Sequence, residues 1–284
     1  MTGLRVPAFG KINISLDIMG LRDDGYHELS SVMQSIKLAD WLTIKADDSG
    51  KIKLAGNSST LSLGDDNLII KAAKLLQETF CPGKGAEIYL EKNLPIGAGL
   101  GGGSSDGAAT MKALNHLWGL NLTTSTLVAL AAQLGADLPF TLVGGTVWAR
   151  GKGEMLTILP PAPKLSLVLA KPSVSLSAGE VYRYWDQNFG TSTYSTPQVL
   201  AALEKGEQKQ LVASMGNDLE RAVLGLMPRV QKIIDRMHAF GVERTLVSGS
   251  GPVVVGVVRD EQQGISLRDH LLGSYGEVFL TCTI

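Results

Sequence analysis

With only two cysteines in 284 residues, the chain cannot build a disulfide framework. Cys81 and Cys282 are far apart and fit no metal-ligand spacing, so reduced thiols in a cytoplasmic protein are expected. No apolar run approaches the length of a membrane span. The start of the chain has no charged segment ahead of an apolar one, so neither a signal peptide nor a membrane partner is expected. Neither sign of charge is in excess: 26 Lys and Arg face 27 Asp and Glu, for a formal net charge of -1. No basic stripe with interleaved aromatics occurs, and nucleic-acid binding is not expected. Internal repeats, low-complexity tracts and a heptad seam are all missing, so the expected state is a monomer or weak homodimer. What is present is 44% hydrophobic and 19% charged residues, enough to bury the core of one large domain or two ordinary ones.

Glycine is the one conspicuous excess, and it is concentrated. Pro95, Ile96, Gly97, Ala98, Gly99, Leu100, Gly101, Gly102, Gly103, Ser104 and Ser105 run in succession into an apolar-periodic segment, Ala108 to Trp118. A backbone this rich in glycine can curl tightly and gather several N–H groups into one concavity. The following helix adds the unpaired N–H groups of its first turn and the positive end of its dipole, which suits a polyphosphate. Ser104 and Ser105 add hydroxyls for a phosphate oxygen or a metal. Three functional readings compete with a plain structural turn. A P-loop needs Lys-Ser/Thr after its last glycine, and the chain has Gly103-Ser104, so it fails. Gly97-x-Gly99-x-x-Gly102 matches a dinucleotide fingerprint, but the acidic residue expected about twenty positions on is missing. A longer phosphate loop with serines near the helix start fits the length and the glycine density.

The rest of the chain mixes strands and helices without strict alternation, which predicts an α+β fold. Ile12, Ile14, Leu16 and Ile18 alternate as in a half-buried strand. Further strands are predicted at Leu29–Leu38, Trp41–Lys45, Lys51–Ala55, Ala86–Glu91 and Phe140–Arg150. Asn67 is placed to cap a helix with Leu68, Ile69, Ala72, Leu75 and Leu76 on its apolar face, stopped by Cys81-Pro82-Gly83. Another helix runs from Thr124 to Leu134, with Gly135 as its cap. Pro160, Pro161 and Pro163 mark a boundary between domains at 1–160 and 161–284. Beyond it, strands are predicted at Leu165–Ala170, Thr245–Val247, Val253–Val258 and Glu277–Thr283, with helices across much of Val181–Leu226 and from Pro228 to about Gly241. Ser248-Gly249-Ser250-Gly251-Pro252 is a second glycine turn.

A few side chains stand out chemically. Lys11 lies inside the first apolar strand, so it either faces solvent on the alternating face or enters a site. Asn13 shares its face. Tyr26 and His27 follow the turn Arg22-Asp23-Asp24-Gly25. Tyr26 is either an amphipathic surface ring or a platform for a planar base, and His27 has ring nitrogens for a ligand edge. Asp137 precedes Leu138-Pro139-Phe140, where a carboxylate is partly desolvated. It is either a cap or a candidate general base. His116, His238 and His270 have no metal-ligand spacing.

Together these pieces resemble the GHMP kinases, the superfamily of galacto-, homoserine, mevalonate and phosphomevalonate kinases. The glycine loop, the Ser248–Pro252 turn and the early strand with its polar tip carry the resemblance. Gly10–Asn13, Asp24–Leu29, Asp66–Ile69, Gly101–Ser105, Leu114-Asn115, Leu134–Phe140 and Asn217–Glu220 narrow it. In order and over nearly the whole length, they resemble the members that phosphorylate an alcohol carrying a cytidine diphosphate group. One departure is Phe9-Gly10, where those members usually have Pro-Ala.

The resemblance implies a two-domain GHMP kinase fold, with an N-terminal α/β domain carrying the phosphate loop and a C-terminal ferredoxin-like domain. It implies ATP with Mg²⁺ and a small-molecule substrate with a cytidine diphosphate group. By position, Asp137 would be the general base, with Lys11 near the carboxylate and the reacting hydroxyl. Residues 95–105 would hold the triphosphate, Ser105 being the candidate phosphate or metal contact, while Asp106 would cap the helix. Asn67 and Lys92 would border the adenine pocket. Asn13, Tyr26, His27 and Tyr182 would bind the substrate. The rivals are a homoserine or mevalonate-type kinase, a nicotinamide-dependent enzyme, and a non-catalytic nucleotide-binding regulator, which should have lost Lys11 or Asp137.

Overall fold

A computed structural model describes residues 3–275 and 277–284. The first elements are strands β1 (Leu4–Leu21), β2 (His27–Asp47) and β3 (Ile52–Gly56), helix α1 (Leu68–Phe80), strand β4 (Gly85–Glu91), and helices α2 (Gly102–Leu117), α3 (Thr124–Ala131) and α4 (Leu138–Val143). Strands β5 (Thr146–Gly151), β6 (Met155–Ile158) and β7 (Ser166–Lys171) follow, then α5 (Ala178–Asn188), α6 (Thr196–Lys205), α7 (Gln208–Ser214), the short β8 (Gly216–Asn217), α8 (Glu220–Leu226) and α9 (Arg229–Ala239). The last elements are β9 (Arg244–Val247), β10 (Val254–Val258), α10 (Glu261–Leu272) and β11 (Glu277–Cys282). Packing divides the chain into two compact units. One comprises the chain up to Gly10, Leu38–Leu94 and Gly101–Gly144; the other comprises Lys11–Lys37, Pro95–Leu100 and Gly145–Ile284.

In the first unit, β4 pairs antiparallel with the end of β2, from Trp41↔Glu91 to Asp47↔Gly85. It pairs parallel with β3 on its other side. Leu42 and Ile44 of β2 and Ile88 and Leu90 of β4 share one core with Ile69 and Leu76 of α1 and with Met111 and Leu114 of α2. Each such side chain contributes roughly 1.5–3 kcal/mol when fully buried. Asn67 caps α1 as its sequence predicts: its Oδ1 accepts from Ile69 N at 2.9 Å. Residues Ser105 to Met111 of α2 are buried without interruption, and small side chains make that possible. A Cβ on Gly107 would come within 3.3 Å of the Leu68 carbonyl oxygen.

In the second unit, β5 pairs antiparallel with the start of β2 and with β6. The later part of β1 takes β8 as a parallel neighbour, Ser15↔Gly216 and Leu16↔Asn217. A separate four-stranded antiparallel sheet has the order β11-β7-β10-β9. Helices α5 to α9 join β7 to β9, and α10 joins β10 to β11, giving the ferredoxin-like arrangement. All five residues of β10 are buried, as their unbroken valine-rich run requires of a strand covered on both faces. This unit has its own core, including Val168, Trp185, Val230, Ile233 and Leu267.

Some local expectations change. Phe140–Arg150 is not one strand: Leu138–Val143 is a helix with Pro139 in its first turn, and the strand begins only at Thr146. Proline's fixed φ favours a helix start, and Gly144 and Gly145, at φ 72° and 74°, separate the two elements. Helix α2 begins at Gly102, ahead of the apolar-periodic segment at Ala108, and α3 stops at Ala131 rather than Leu134.

Candidate active site

The glycine loop joins the two units in sequence, Pro95–Leu100 falling in the second and Gly101–Ser105 in the first. In the second unit it is anchored by the buried Pro95, Ala98 and Leu100, while Ile96 and Gly97 are exposed. Gly97 and Gly99 have φ of 63° and 79°. A Cβ on Gly99 would lie 2.2 Å from the Ser248 carbonyl oxygen, so only glycine fits this close approach. Ser248 Oγ donates to the Gly99 carbonyl at 3.0 Å, and Lys11 N donates to the Leu100 carbonyl at 2.9 Å. The late glycine turn is itself clamped. Asn217 Nδ2 donates to the carbonyls of Val247 and Gly249, at 2.9 and 2.7 Å. Glu220 Oε2 accepts from Val247 N at 2.7 Å. Burial raises the Glu220 carboxyl above the usual range, against the opposing pull of that N–H, Arg244 and His238.

In the first unit, Gly101 is the left-handed N-cap of α2 and makes no side-chain cap bond. The N–H groups that follow it are those a helix leaves without an internal partner. Gly103 is exposed and Ser104 half-buried. Ser105 is 2% exposed, and its Oγ donates to the Phe9 carbonyl at 2.6 Å. That commits its proton and leaves its lone pairs.

Asp106 does not cap α2 as the sequence suggests; its carboxylate faces Lys92. Lys92 Nζ lies 2.7 Å from Asp106 Oδ2 and 2.5 Å from Asp40 Oδ2. Asp40 Oδ1 also accepts from Asn93 N and Leu94 N, at 2.5 and 2.7 Å. Lys92 is thus bound inside an internal ion cluster, where burial opposes its charge but the two carboxylates outweigh it and raise its pKa. Burial pushes Asp106 up to about 7 against the attraction of Lys92. Asp106 Oδ1 is buried with no hydrogen-bond partner among the described residues.

Lys11 is 4% exposed, which removes the solvated alternative. Its ammonium donates to Asn13 Oδ1 at 2.8 Å, and Asn13 Nδ2 donates to Ser31 Oγ at 2.8 Å. Gly249, at φ +57°, closes over this pair: a Cβ there would sit 3.2 Å from Asn13 Oδ1 and 3.5 Å from Lys11 Nζ. Asp137 belongs to the first unit. It precedes α4 without a side-chain cap bond, so capping does not explain it.

An aromatic platform also lies within the second unit. Tyr26 is 60% exposed, with Lys152 Nζ 4.6 Å from its ring centroid. His27 stacks on Tyr182, with centroids 4.8 Å apart and planes at 21°. The sequence did not single out two further residues here. Trp185 meets the imidazole edge-on at 6.2 Å, and Asp186 Oδ1 lies 2.8 Å from His27 Nε2. Their only sequence signal is the spacing Tyr182, Trp185, Asp186, which puts all three on one helix face.

A glycine loop opening a helix suits a polyphosphate, and the relatives of this chain place it among the small-molecule phosphotransferases. Residues 67–145 match the family described as the GHMP kinases N terminal domain, and residues 199–277 match GHMP kinases C terminal. A protein of Moorella thermoacetica named 4-diphosphocytidyl-2-C-methyl-D-erythritol kinase is 42% identical over all of both chains. One of that name from Pelotomaculum thermopropionicum is 42% identical over 89% of this chain and 88% of its own. A crystal structure of 4-(cytidine 5'-diphospho)-2C-methyl-D-erythritol kinase superposes with a TM-score of 0.83 at 33% identity, covering 99% of each chain. Homoserine kinase from Cytophaga hutchinsonii, covering 100% of this chain and 95% of its own, shares the fold at a TM-score of 0.76 and 16% identity. The chain belongs to the GHMP kinases and, within them, to the 4-diphosphocytidyl-2-C-methyl-D-erythritol kinases.

Proposed function

We propose that this enzyme transfers the γ-phosphoryl group of ATP to the 2-hydroxyl of 4-diphosphocytidyl-2-C-methyl-D-erythritol, a step of non-mevalonate isoprenoid precursor biosynthesis. The observation that supports this most is the buried ammonium of Lys11, held by Asn13 under Gly249. A surface role cannot account for a lysine placed there.

In this reading the carboxylate of Asp137 takes the proton from the 2-hydroxyl as its oxygen attacks the γ-phosphorus. The bond from that phosphorus to the β,γ-bridging oxygen breaks, and ADP leaves. Lys11 favours negative charge on the attacking oxygen. Residues Pro95 to Ser105 hold the triphosphate for in-line transfer, so positioning and electrostatics supply most of the catalysis. Tyr26 and Tyr182 flank the cytosine, His27 reads its edge, and Asn13 faces the substrate near Lys11. Asn67 borders the adenine pocket with its backbone, since its amide is engaged by Ile69 N and the Ser62 carbonyl. Lys92 borders the same pocket, its ammonium held by Asp40 and Asp106.

Mg²⁺ suits the donor set as a cation carried on the triphosphate. Among the described residues no three His, Cys, Asp or Glu side chains gather to hold a metal, whereas Ser105 retains lone pairs for one. Such an ion neutralises charge on the phosphates. Among the described residues no helix is long and apolar enough to cross a membrane, and Cys81 and Cys282 are free thiols. We place the enzyme in the cytoplasm as a monomer or weak homodimer.

The test is coupled ADP release with the cytidyl substrate, using mevalonate and homoserine as controls. Asp137→Asn should lower kcat by ~10²–10⁴. Near wild-type turnover in that variant removes Asp137 from the chemistry, and preference for a control substrate overturns the assignment.

A further inference from the structure

His27 is fixed more tightly than a residue that only lines a pocket needs to be. Its side chain is 9% exposed, although it follows an exposed turn. Three residues of α5 determine its orientation. Tyr182 covers one ring face, Trp185 meets the ring edge-on at 88°, and Asp186 bonds Nε2 at 2.8 Å. Stacking sets the ring plane, and the carboxylate sets which nitrogen points where.

The carboxylate also decides the tautomer. An ionised aspartate only accepts, so the nitrogen facing it must carry the proton. In the neutral imidazole the other nitrogen, Nδ1, is then an acceptor. Cytosine and uracil differ at position 4, where cytosine has an amino group that donates and uracil a carbonyl oxygen that accepts. A fixed acceptor favours the first and repels the second.

We infer that Asp186 is a positioning residue for base specificity: by holding the proton on His27 Nε2, it presents Nδ1 as an acceptor that selects cytosine over uracil. The inference rests on the cytidyl reading of Tyr26 and His27. Asp186 touches no substrate and acts only through the imidazole.

Two measurements test it on the full-length enzyme. The first compares kcat/KM for 4-diphosphocytidyl-2-C-methyl-D-erythritol and its uridyl counterpart in wild type, Asp186→Ala and Asp186→Glu. Wild type should prefer the cytidyl substrate. The alanine variant should lower that preference by about tenfold or more, the scale of one lost hydrogen bond, and the glutamate variant should restore it. A purely structural tie between α5 and the turn would weaken both substrates equally, and that result overturns the inference.

The second is ¹⁵N NMR of the imidazole, with His27→Gln assigning the signal. Wild type should show the proton on Nε2, and Asp186→Ala a mixture of tautomers. A wild-type proton on Nδ1 overturns the inference even if the alanine variant fails to fold. If wild type phosphorylates neither pyrimidine substrate, the proposed function falls, while the NMR result still decides whether Asp186 sets the tautomer.

Discussion

Gly99→Ala measures what the contact between the glycine loop and the late glycine turn contributes. Two costs add at this position. The backbone sits at φ +79°, where an L-residue costs roughly 1–2 kcal/mol. The new Cβ would also lie 2.2 Å from the Ser248 carbonyl oxygen and 3.1 Å from that of Gly251. Carbon–oxygen contacts settle near about 3.3–3.6 Å, so loop and turn must part by about 1 Å. That separation breaks the bond from Ser248 Oγ to the Gly99 carbonyl, worth about 0.5–1.5 kcal/mol. A misplacement of about 1 Å in a group that orients substrate lowers rate by about a hundredfold.

Gly119→Ala is the matched control, since its φ is +67° and a Cβ there meets nothing within 4 Å. Urea denaturation of both variants separates the backbone cost from the clash, and ADP release gives kcat/KM. Gly99→Ala should lose more stability than the control and about a hundredfold in kcat/KM. The reasoning is refuted if the two variants lose equal stability and Gly99→Ala stays within about threefold of wild-type kcat/KM.

Other perturbations probe separate parts. Tyr26→Ala should raise KM for the cytidyl substrate far more than KM for ATP in steady-state kinetics; equal increases refute base stacking. Lys92→Met leaves Asp40 and Asp106 buried without their cation, and breaking such a pair costs about 3–5 kcal/mol. Denaturant titration should show that loss, and a change below about 1 kcal/mol would refute a structural role for the cluster. Glu220→Gln concerns pH. Burial raises the folded-state pKa of Glu220 above its unfolded value, so the folded state binds the proton more tightly. The resulting penalty is absent below the unfolded pKa, grows as pH rises from there through the folded pKa, and is then constant. Denaturant titrations across that range should show wild type losing stability as pH rises relative to Glu220→Gln, and parallel curves refute this.

Signals carried by neighbours in sequence could be read before the structure. Asn67 ahead of Leu68 and Ile69 announced a cap, and the glycines before an apolar helix announced a phosphate loop. Lys11 was visible as an anomaly in an apolar strand, but only the fold decides its burial, because Asn13, Ser31 and Gly249 come from three separate segments. The role of Asp106 is hidden for the same reason. Beside a helix start an aspartate looks like a cap, and its partner Lys92 reaches it from the end of β4. Asp186 gave no warning, since an acidic residue on an amphipathic helix ordinarily faces water. The α4 helix escaped because six residues are too few to separate a period of 3.6 from a period of 2.

The parallel pairing of β1 with β8 has a consequence for synthesis. Ile18 N bonds Asp218 Oδ2 across 200 positions of sequence, next to the pairing of Leu16 with Asn217. A ribosome must therefore release more than two thirds of the polypeptide before β1, already beside β2, can take this second neighbour. Until then Ile12, Ile14, Leu16 and Ile18, all destined for the interior, lie on a strand paired with β2 along one edge only. An open edge of this kind is where association between nascent chains starts, and fast translation of the remainder shortens its exposure.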